Sequence, residues 1–237
     1  MGMTDEDGWL RTLEALLLPN GCSSCGRATD HPPFCRGCTP PPAPPVPVPP
    51  PRPLAAWTAE VAYTDAWKEW IHRFKYPGSG LSSLDPAADA VVLALVRAAA
   101  RRVPATFVPD IVVPVPLHRA RRRERGFDQA ALLARAVARE ARVKAGLRVL
   151  ERRRDTPRQV GLSRRERRRN VRGAFVARRA VPACVWLVDD VATTGATLSE
   201  AARALLCAGA HQVIGICVAH TPPGRNDARF ETPLPSG

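Results

Sequence analysis

Two adjacent carboxylates, Asp189 and Asp190, stand between the apolar run Val185-Trp186-Leu187-Val188 and the hydroxyl- and glycine-rich stretch Val191-Ala192-Thr193-Thr194-Gly195-Ala196-Thr197. The apolar run predicts a strand buried on both faces, with the acid pair where that strand ends. The stretch after it predicts a tight turn opening a helix over 197–208. In open α/β sheets, ligands bind beyond the carboxyl ends of strands, which is where this turn falls. Backbone N–H groups at a helix N-terminus favour a phosphate, and Gly195 lets the chain approach it closely. The two carboxylates can accept hydrogen bonds from vicinal sugar hydroxyls, or from water on a hard cation such as Mg²⁺. One turn can thus hold a ribose and its 5′-phosphate.

A second chemistry is written near the N-terminus. Cys22 and Cys25, then Cys35 and Cys38, form two Cys-x2-Cys hooks separated by nine residues. This is the spacing of a tetrahedral thiolate site for Zn²⁺, with Gly21, Gly26 and Gly37 supplying turns. Such a site leaves no open coordination position, so its expected role is structural. Disulfides are the competing reading, which a reducing compartment disfavours. Cys184, Cys207 and Cys217 lie singly in apolar segments and are expected to be small core residues.

The formal net charge is +13, and its placement is uneven. Residues 119–172 carry 20 Arg or Lys against six Asp or Glu, and only Lys68, Lys75 and Lys144 in the whole chain are lysines. A solvated helix face is the ordinary reading of an arginine run. The density here favours an anionic partner, either pyrophosphate or nucleic acid. No signal-peptide pattern opens the sequence, and the longest apolar stretch, 87–100, contains Asp89 and Arg97. The expectation is a soluble, cytoplasmic protein with no membrane insertion.

These residues need elements to position them. Residues 7–18 predict an amphipathic helix, followed by the cysteine knuckle at 21–38 and a proline-rich linker at 39–53. Residues 57–63 read as a short strand and 67–76 as a helix. A longer helix is expected over 86–102, a central strand over 110–115, and a helix over 128–142 with Asp128 as its N-cap. Residues 143–150 read as a further strand. Ser163-Arg-Arg-Glu166 is a capping-box pattern that starts a short helix. Strands at 185–189 and 212–219 complete the set. Alternating strands and helices predict an α/β domain with a mostly parallel sheet covered on both faces. The expected organisation is 1–38 helix and knuckle, 39–53 linker, 54–223 α/β domain and 224–237 a tail without structure.

The order of apolar run, acid pair and Thr-Thr-Gly-x-Thr resembles the phosphoribosyl-pyrophosphate (PRPP) motif of type I phosphoribosyltransferases. A wider set resembles the ComF-type phosphoribosyltransferase-like proteins. It comprises the four cysteines, Arg73-Phe74-Lys75-Tyr76, Val113-Pro-Val-Pro-Leu-His118, Arg125-Gly126-Phe127-Asp128-Gln129, and Gln159, Leu162 and Ser163 with Arg167, Asn170, Val171 and Phe175. The resemblance runs from the knuckle to about Ala219. It implies a type I phosphoribosyltransferase fold behind a small zinc-ribbon-like module and, for some members, a link to uptake of transforming DNA. Two departures stand out: Asp128 replaces an Asn, and Ala219-His220 replaces an Ala-Arg.

What the resemblance implies for the site is a Mg²⁺-dependent phosphoribosyl transfer with loss of pyrophosphate to an unknown acceptor. Asp189 and Asp190 hold the ribose hydroxyls as the catalytic pair, and residues 191–197 cradle the 5′-phosphate. Arg119 and Arg125 face the pyrophosphate. Arg154 and Arg167 belong to a closing lid. A non-catalytic alternative is a fold that senses a nucleotide or grips single-stranded DNA. Phe127 and Phe175 are, however, the only aromatics near the basic region that bases could stack on. A third expectation makes the knuckle and linker a docking arm for a partner such as a DNA-uptake helicase.

Overall fold

The computed structural model describes residues 49–76, 86–118, 122–123, 128–154 and 164–221. The predicted N-terminal helix, the four knuckle cysteines, Arg119, Arg125, Ser163 and the 224–237 tail lie outside the described residues. Within them the chain runs β1 (Ala56–Ala62), α1 (Asp65–Lys75), α2 (Pro86–Arg101), β2 (Ile111–Pro114), α3 (Gln129–Glu140), β3 (Lys144–Ala145), β4 (Leu150–Arg152), α4 (Arg164–Val171), β5 (Phe175–Ala177), β6 (Cys184–Ala192), α5 (Ala196–Cys207) and β7 (Gln212–His220).

Strands β1, β7, β6, β2 and β3 form one sheet in that order, and every pairing in it is parallel. β6 lies at its centre and pairs on both sides, which is why its apolar run has no polar alternation. Trp186 and Val188 face a core built with α1, α2 and α3, including Ile71, Phe74, Val92 and Leu133. Val185 and Leu187 face a second core built with α5, including Leu198 and Leu205. Each of these fully buried Leu side chains contributes about 2 kcal/mol of hydrophobic transfer free energy. The Trp186 indole keeps its polar end satisfied by donating Nε1–H to the Phe107 carbonyl at 3.0 Å. Asp128 caps α3 as its sequence position predicts, its side chain accepting from the Ala131 N–H at 3.2 Å.

The structure corrects two strand readings. First, residues 143–150 are not one strand. Only β3 joins the sheet, and the chain then turns at Gly146, whose N–H donates to the Val112 carbonyl at 2.7 Å. A side chain there would collide with Ile111 and Val149, at 2.7 and 2.8 Å from a Cβ. The apolar residues that follow instead open β4, which pairs antiparallel with β5 in a separate two-stranded ribbon. Second, β6 does not end at Asp189. It continues to Ala192, because β7 keeps pairing with it out to the Ala192–His220 rung.

Candidate functional site

The acid pair lies inside the last turn of β6 pairing rather than beyond it, at the carboxyl edge of the sheet. Strand alternation sends its two side chains to different faces. Asp189 follows Leu187 toward the α5 face, where its register partner is the buried Cys217. Asp190 faces the α1–α3 side, where its Oδ1 is 2.9 Å from the Lys75 Nζ. The Asp189 carboxylate also accepts the Asp190 N–H at 2.9 Å, which fixes its rotamer.

The electrostatics of the two faces differ. Burial, and then the neighbouring Asp190 charge, push the Asp189 carboxyl up to about 7. The Asp190 N–H bond and the Lys75 and Arg152 charges pull it back only partly. Arg152 reaches the site from the end of β4, buried, with its guanidinium 5.4 Å from the Phe175 ring centre. Under the pair, burial and both acidic charges hold the Cys217 thiol well above its ordinary range, so it stays neutral.

The turn that follows is built for close approach. Gly195 sits at φ +69°, ψ 4°, a left-handed conformation that favours glycine, and its position starts α5. The Ala196 N–H points to the Thr194 hydroxyl at 3.4 Å, and the Gly195 carbonyl accepts from the Ser199 N–H at 2.8 Å. Thr193 is exposed, Thr194 and Thr197 are half-buried, and Val191 precedes them half-buried beside the fully paired Ala192. Pro51 packs directly on this turn: a Cβ on Gly195 would lie 2.6 Å from its Cγ. The end of the proline-rich segment is therefore seated. The Pro51 carbonyl accepts from the Leu54 N–H, and the Ala55 N–H donates to Val213.

The predicted lid arginines take different places. Arg154 is exposed and closes the C-terminal end of α4, donating to the Asn170 and Arg172 carbonyls at 2.9 and 2.8 Å. Arg167 is half-buried on α4. Three contributors escaped sequence reasoning. Lys75 belongs to the Arg73-Phe74-Lys75-Tyr76 motif, but nothing local says that it meets Asp190. Gln129 is 1% exposed and donates its side-chain N–H to the Lys75 carbonyl at 3.0 Å, tying the start of α3 to the end of α1. His220 ends β7 opposite Ala192, with both ring nitrogens buried and lacking a hydrogen-bond partner, and its ring packs edge-on to Trp57. Burial keeps its imidazole below its ordinary range, hence neutral.

Chemically, the edge offers two carboxylates that can accept hydroxyl protons or ligate a hard cation, flanked by one ammonium and one guanidinium. Among the described residues no group of three or more His, Cys, Asp or Glu side chains could hold a metal. The donor set still suits Mg²⁺, which takes one or two carboxylates and completes its shell with water and ligand phosphate oxygens. Among the described residues no helix is long and apolar enough to cross a membrane.

No family model matches the chain. Among individual proteins, DNA utilization protein YhgH of Escherichia coli K12 is 33% identical over 205 residues, 84% of each chain. Competence protein F of Haemophilus influenzae is 36% identical over 118 residues, 48% of this chain and 52% of that protein, so the chain spans about half the length of that relative. Among solved structures, glutamine phosphoribosylpyrophosphate (PRPP) amidotransferase from B. subtilis matches 61% of this chain and 30% of its own, at 23% identity and a TM-score of 0.41. With identity of this level sustained over most of both proteins, the chain belongs to the ComF family, to which DNA utilization protein YhgH and competence protein ComFC belong.

Proposed function

We propose that the chain binds PRPP together with Mg²⁺ at the carboxyl edge of β6 and transfers the phosphoribosyl group to a nucleophilic acceptor, releasing pyrophosphate. One observation carries this reading: an acid pair at the end of the central parallel strand leads through a left-handed glycine into a helix N-terminus. Asp189 and Asp190 accept the ribose hydroxyls, and the N–H groups of the turn and of the first turn of α5 receive the 5′-phosphate. When bound, Mg²⁺ neutralises diphosphate charge and orients the leaving group. Arg152, buried at the end of β4, adds its positive charge beside the acid pair. Arg167 on α4, and Arg119 and Arg125 after β2, join it as pyrophosphate contacts in this reading.

Calorimetry with PRPP and Mg²⁺ tests the site. Binding by the wild type, and its loss in the double variant Asp189→Asn, Asp190→Asn, is the expected result. Equal affinity in both proteins removes the proposal. The four cysteines Cys22, Cys25, Cys35 and Cys38 are proposed to hold one structural Zn²⁺. About one zinc per chain by elemental analysis, lost on changing any pair to serine, is the expected outcome.

The names of the relatives, competence protein F and DNA utilization protein, support a role in handling incoming DNA. A second reading, nucleotide or single-stranded DNA binding without catalysis, is favoured by the exposed arginines Arg153, Arg168, Arg169 and Arg172 around α4. If they track phosphates, DNA affinity falls steeply with added salt. Weak binding that is flat with salt removes this reading. In either case the N-terminal knuckle and linker are proposed to dock a partner protein, such as a helicase.

A further inference from the structure

Three sequence segments far apart in the chain meet at Lys75. Its ammonium lies 2.9 Å from Asp190 at the end of β6, and both side chains are largely buried, at 19% and 15% exposure. Its carbonyl is held by the buried amide of Gln129, the first residue of α3. Its helix, α1, is anchored just before it by Phe74, which is buried in the core. Lys75 therefore stands at the carboxyl edge of β6, beside the positive end of the α3 dipole. Charged groups facing it there include Asp190 and, at longer range, Asp189. Asp128, the other carboxylate at this corner, is engaged by the Ala131 N–H.

An internal ammonium on one acid of a sugar-binding pair has a consequence. Ribose hydroxyls or a divalent cation approaching Asp190 compete with Lys75 for the same oxygens. The lysine has four methylenes and can turn away without moving α1. An anion held at the start of α3, where Gln129 already binds the Lys75 carbonyl, is within its reach.

We infer that Lys75 is a phosphate-binding residue, stored on Asp190 in the empty site and handed to the diphosphate of the ligand when Asp190 takes up the ribose or its cation. This rests on the ribose-phosphate reading of the acid pair and adds to it a residue that distinguishes a diphosphate-bearing ribose from a simple ribose phosphate.

The test uses the full chain with two neutral variants, Lys75→Gln and Lys75→Met, and the charge-keeping Lys75→Arg. Three probes are titrated by calorimetry: PRPP with Mg²⁺, ribose 5-phosphate, and Mg²⁺ alone. Losing one charge-assisted contact is expected to weaken PRPP by about 10- to 100-fold. Ribose 5-phosphate and Mg²⁺ alone are expected to bind at least as tightly without their competitor for Asp190, and Lys75→Arg to restore most PRPP affinity. A merely supporting role predicts something else, an equal loss for PRPP and ribose 5-phosphate, and that result overturns the inference. So does no change for either.

A measurement on the wild type removes any dependence on variant folding. Only Lys68, Lys75 and Lys144 carry side-chain amines, so reductive ¹³C-methylation gives three lysine signals beside that of the N-terminus. The Lys75 signal is expected to move with PRPP to a position that ribose 5-phosphate, lacking the diphosphate, does not produce. A signal indifferent to both, while PRPP binds, refutes the hand-over. A wild type that binds neither probe refutes the ribose-phosphate reading itself.

Discussion

Asp189→Asn is expected to stabilise the protein while destroying its ligand site. The Asp189 carboxyl is pushed from an ordinary 3.8 to about 7, chiefly by burial and then by the Asp190 charge. A carboxyl raised in this way holds its proton longer in the folded state than in the unfolded chain. The folded state therefore loses stability as pH climbs from 3.8 to about 7, and the loss is complete above that. At about 1.4 kcal/mol per unit, the full penalty at pH 8 is roughly 4 kcal/mol. Asparagine is the neutral isostere, and its Oδ1 can still accept the Asp190 N–H. Its amide must find an acceptor of its own, so a gain of about 2–4 kcal/mol is expected, or roughly 5–10 °C in melting temperature for a domain of this size. The assay is thermal unfolding of wild type and variant from pH 4 to pH 8. The gain should be largest at pH 8 and fall below about 1 kcal/mol by pH 4, where the folded wild type is protonated and its unfolded chain nearly half so. A variant no more stable than wild type at pH 8, or one whose gain ignores pH, would refute the account of Asp189 as an under-compensated charge.

Gly195→Ala forces a side chain into φ +69° and against Pro51, and should cost about 2–4 kcal/mol by chemical denaturation. Adding Pro51→Gly should recover the steric part and leave the backbone part of about 1 kcal/mol, whereas strict additivity of the two changes denies the Pro51 contact. His220 is buried neutral, its pKa depressed by burial, so the unfolded chain gains a proton more readily and stability falls as pH drops below about 6.5. His220→Phe should flatten that acid limb in urea melts, and an unchanged limb removes His220 as its source. Arg154→Ala withdraws the guanidinium from the Asn170 and Arg172 carbonyls, and amide exchange in α4 should quicken several-fold with under 1 kcal/mol of global loss. Unaltered exchange there leaves Arg154 free for another task.

The parts of this structure written in local pattern were legible in the sequence. The run 185–188 reads as a doubly buried strand because nothing polar interrupts it, and the spacing of Trp67, Trp70, Ile71 and Phe74 places one helix face in the core, as observed. Asp128 caps α3 because a short carboxylate before a helical pattern has a local N–H to bind. Failures came where pairing across the chain decided. Whether β6 stops at Asp189 or runs to Ala192 depends on β7 lying alongside it. The β4–β5 ribbon joins residues 150–152 to 175–177, a register that no window of sequence contains. The site divides in the same way. Asp189, Asp190 and Gly195 announced themselves by adjacency, whereas Lys75, Gln129 and Arg152 reach the edge only through the packing of α1, α3 and the ribbon.

The features that local rules disfavour gather at one edge. A carboxyl pushed toward neutrality, an imidazole with two unsatisfied nitrogens, a left-handed glycine and a proline pressed onto it all lie at the carboxyl ends of β6 and β7. Elsewhere on these strands, apart from the exposed Gln212 that opens β7, the side chains are apolar and their neighbours consistent with them. Each exception costs on the order of 1 kcal/mol or more, and none is needed to close the sheet, which is already paired and covered on both faces. Strands consistent along their length except at one confined edge are the pattern of a fold that gives up stability for a ligand. The same logic sets the order of experiments. If replacing Asp189 with Asn, or His220 with Phe, raises the melting temperature and abolishes PRPP binding together, the stability surrendered at that edge is the cost of recognition. If stability rises and binding is untouched, the ligand lies elsewhere and the edge needs another explanation.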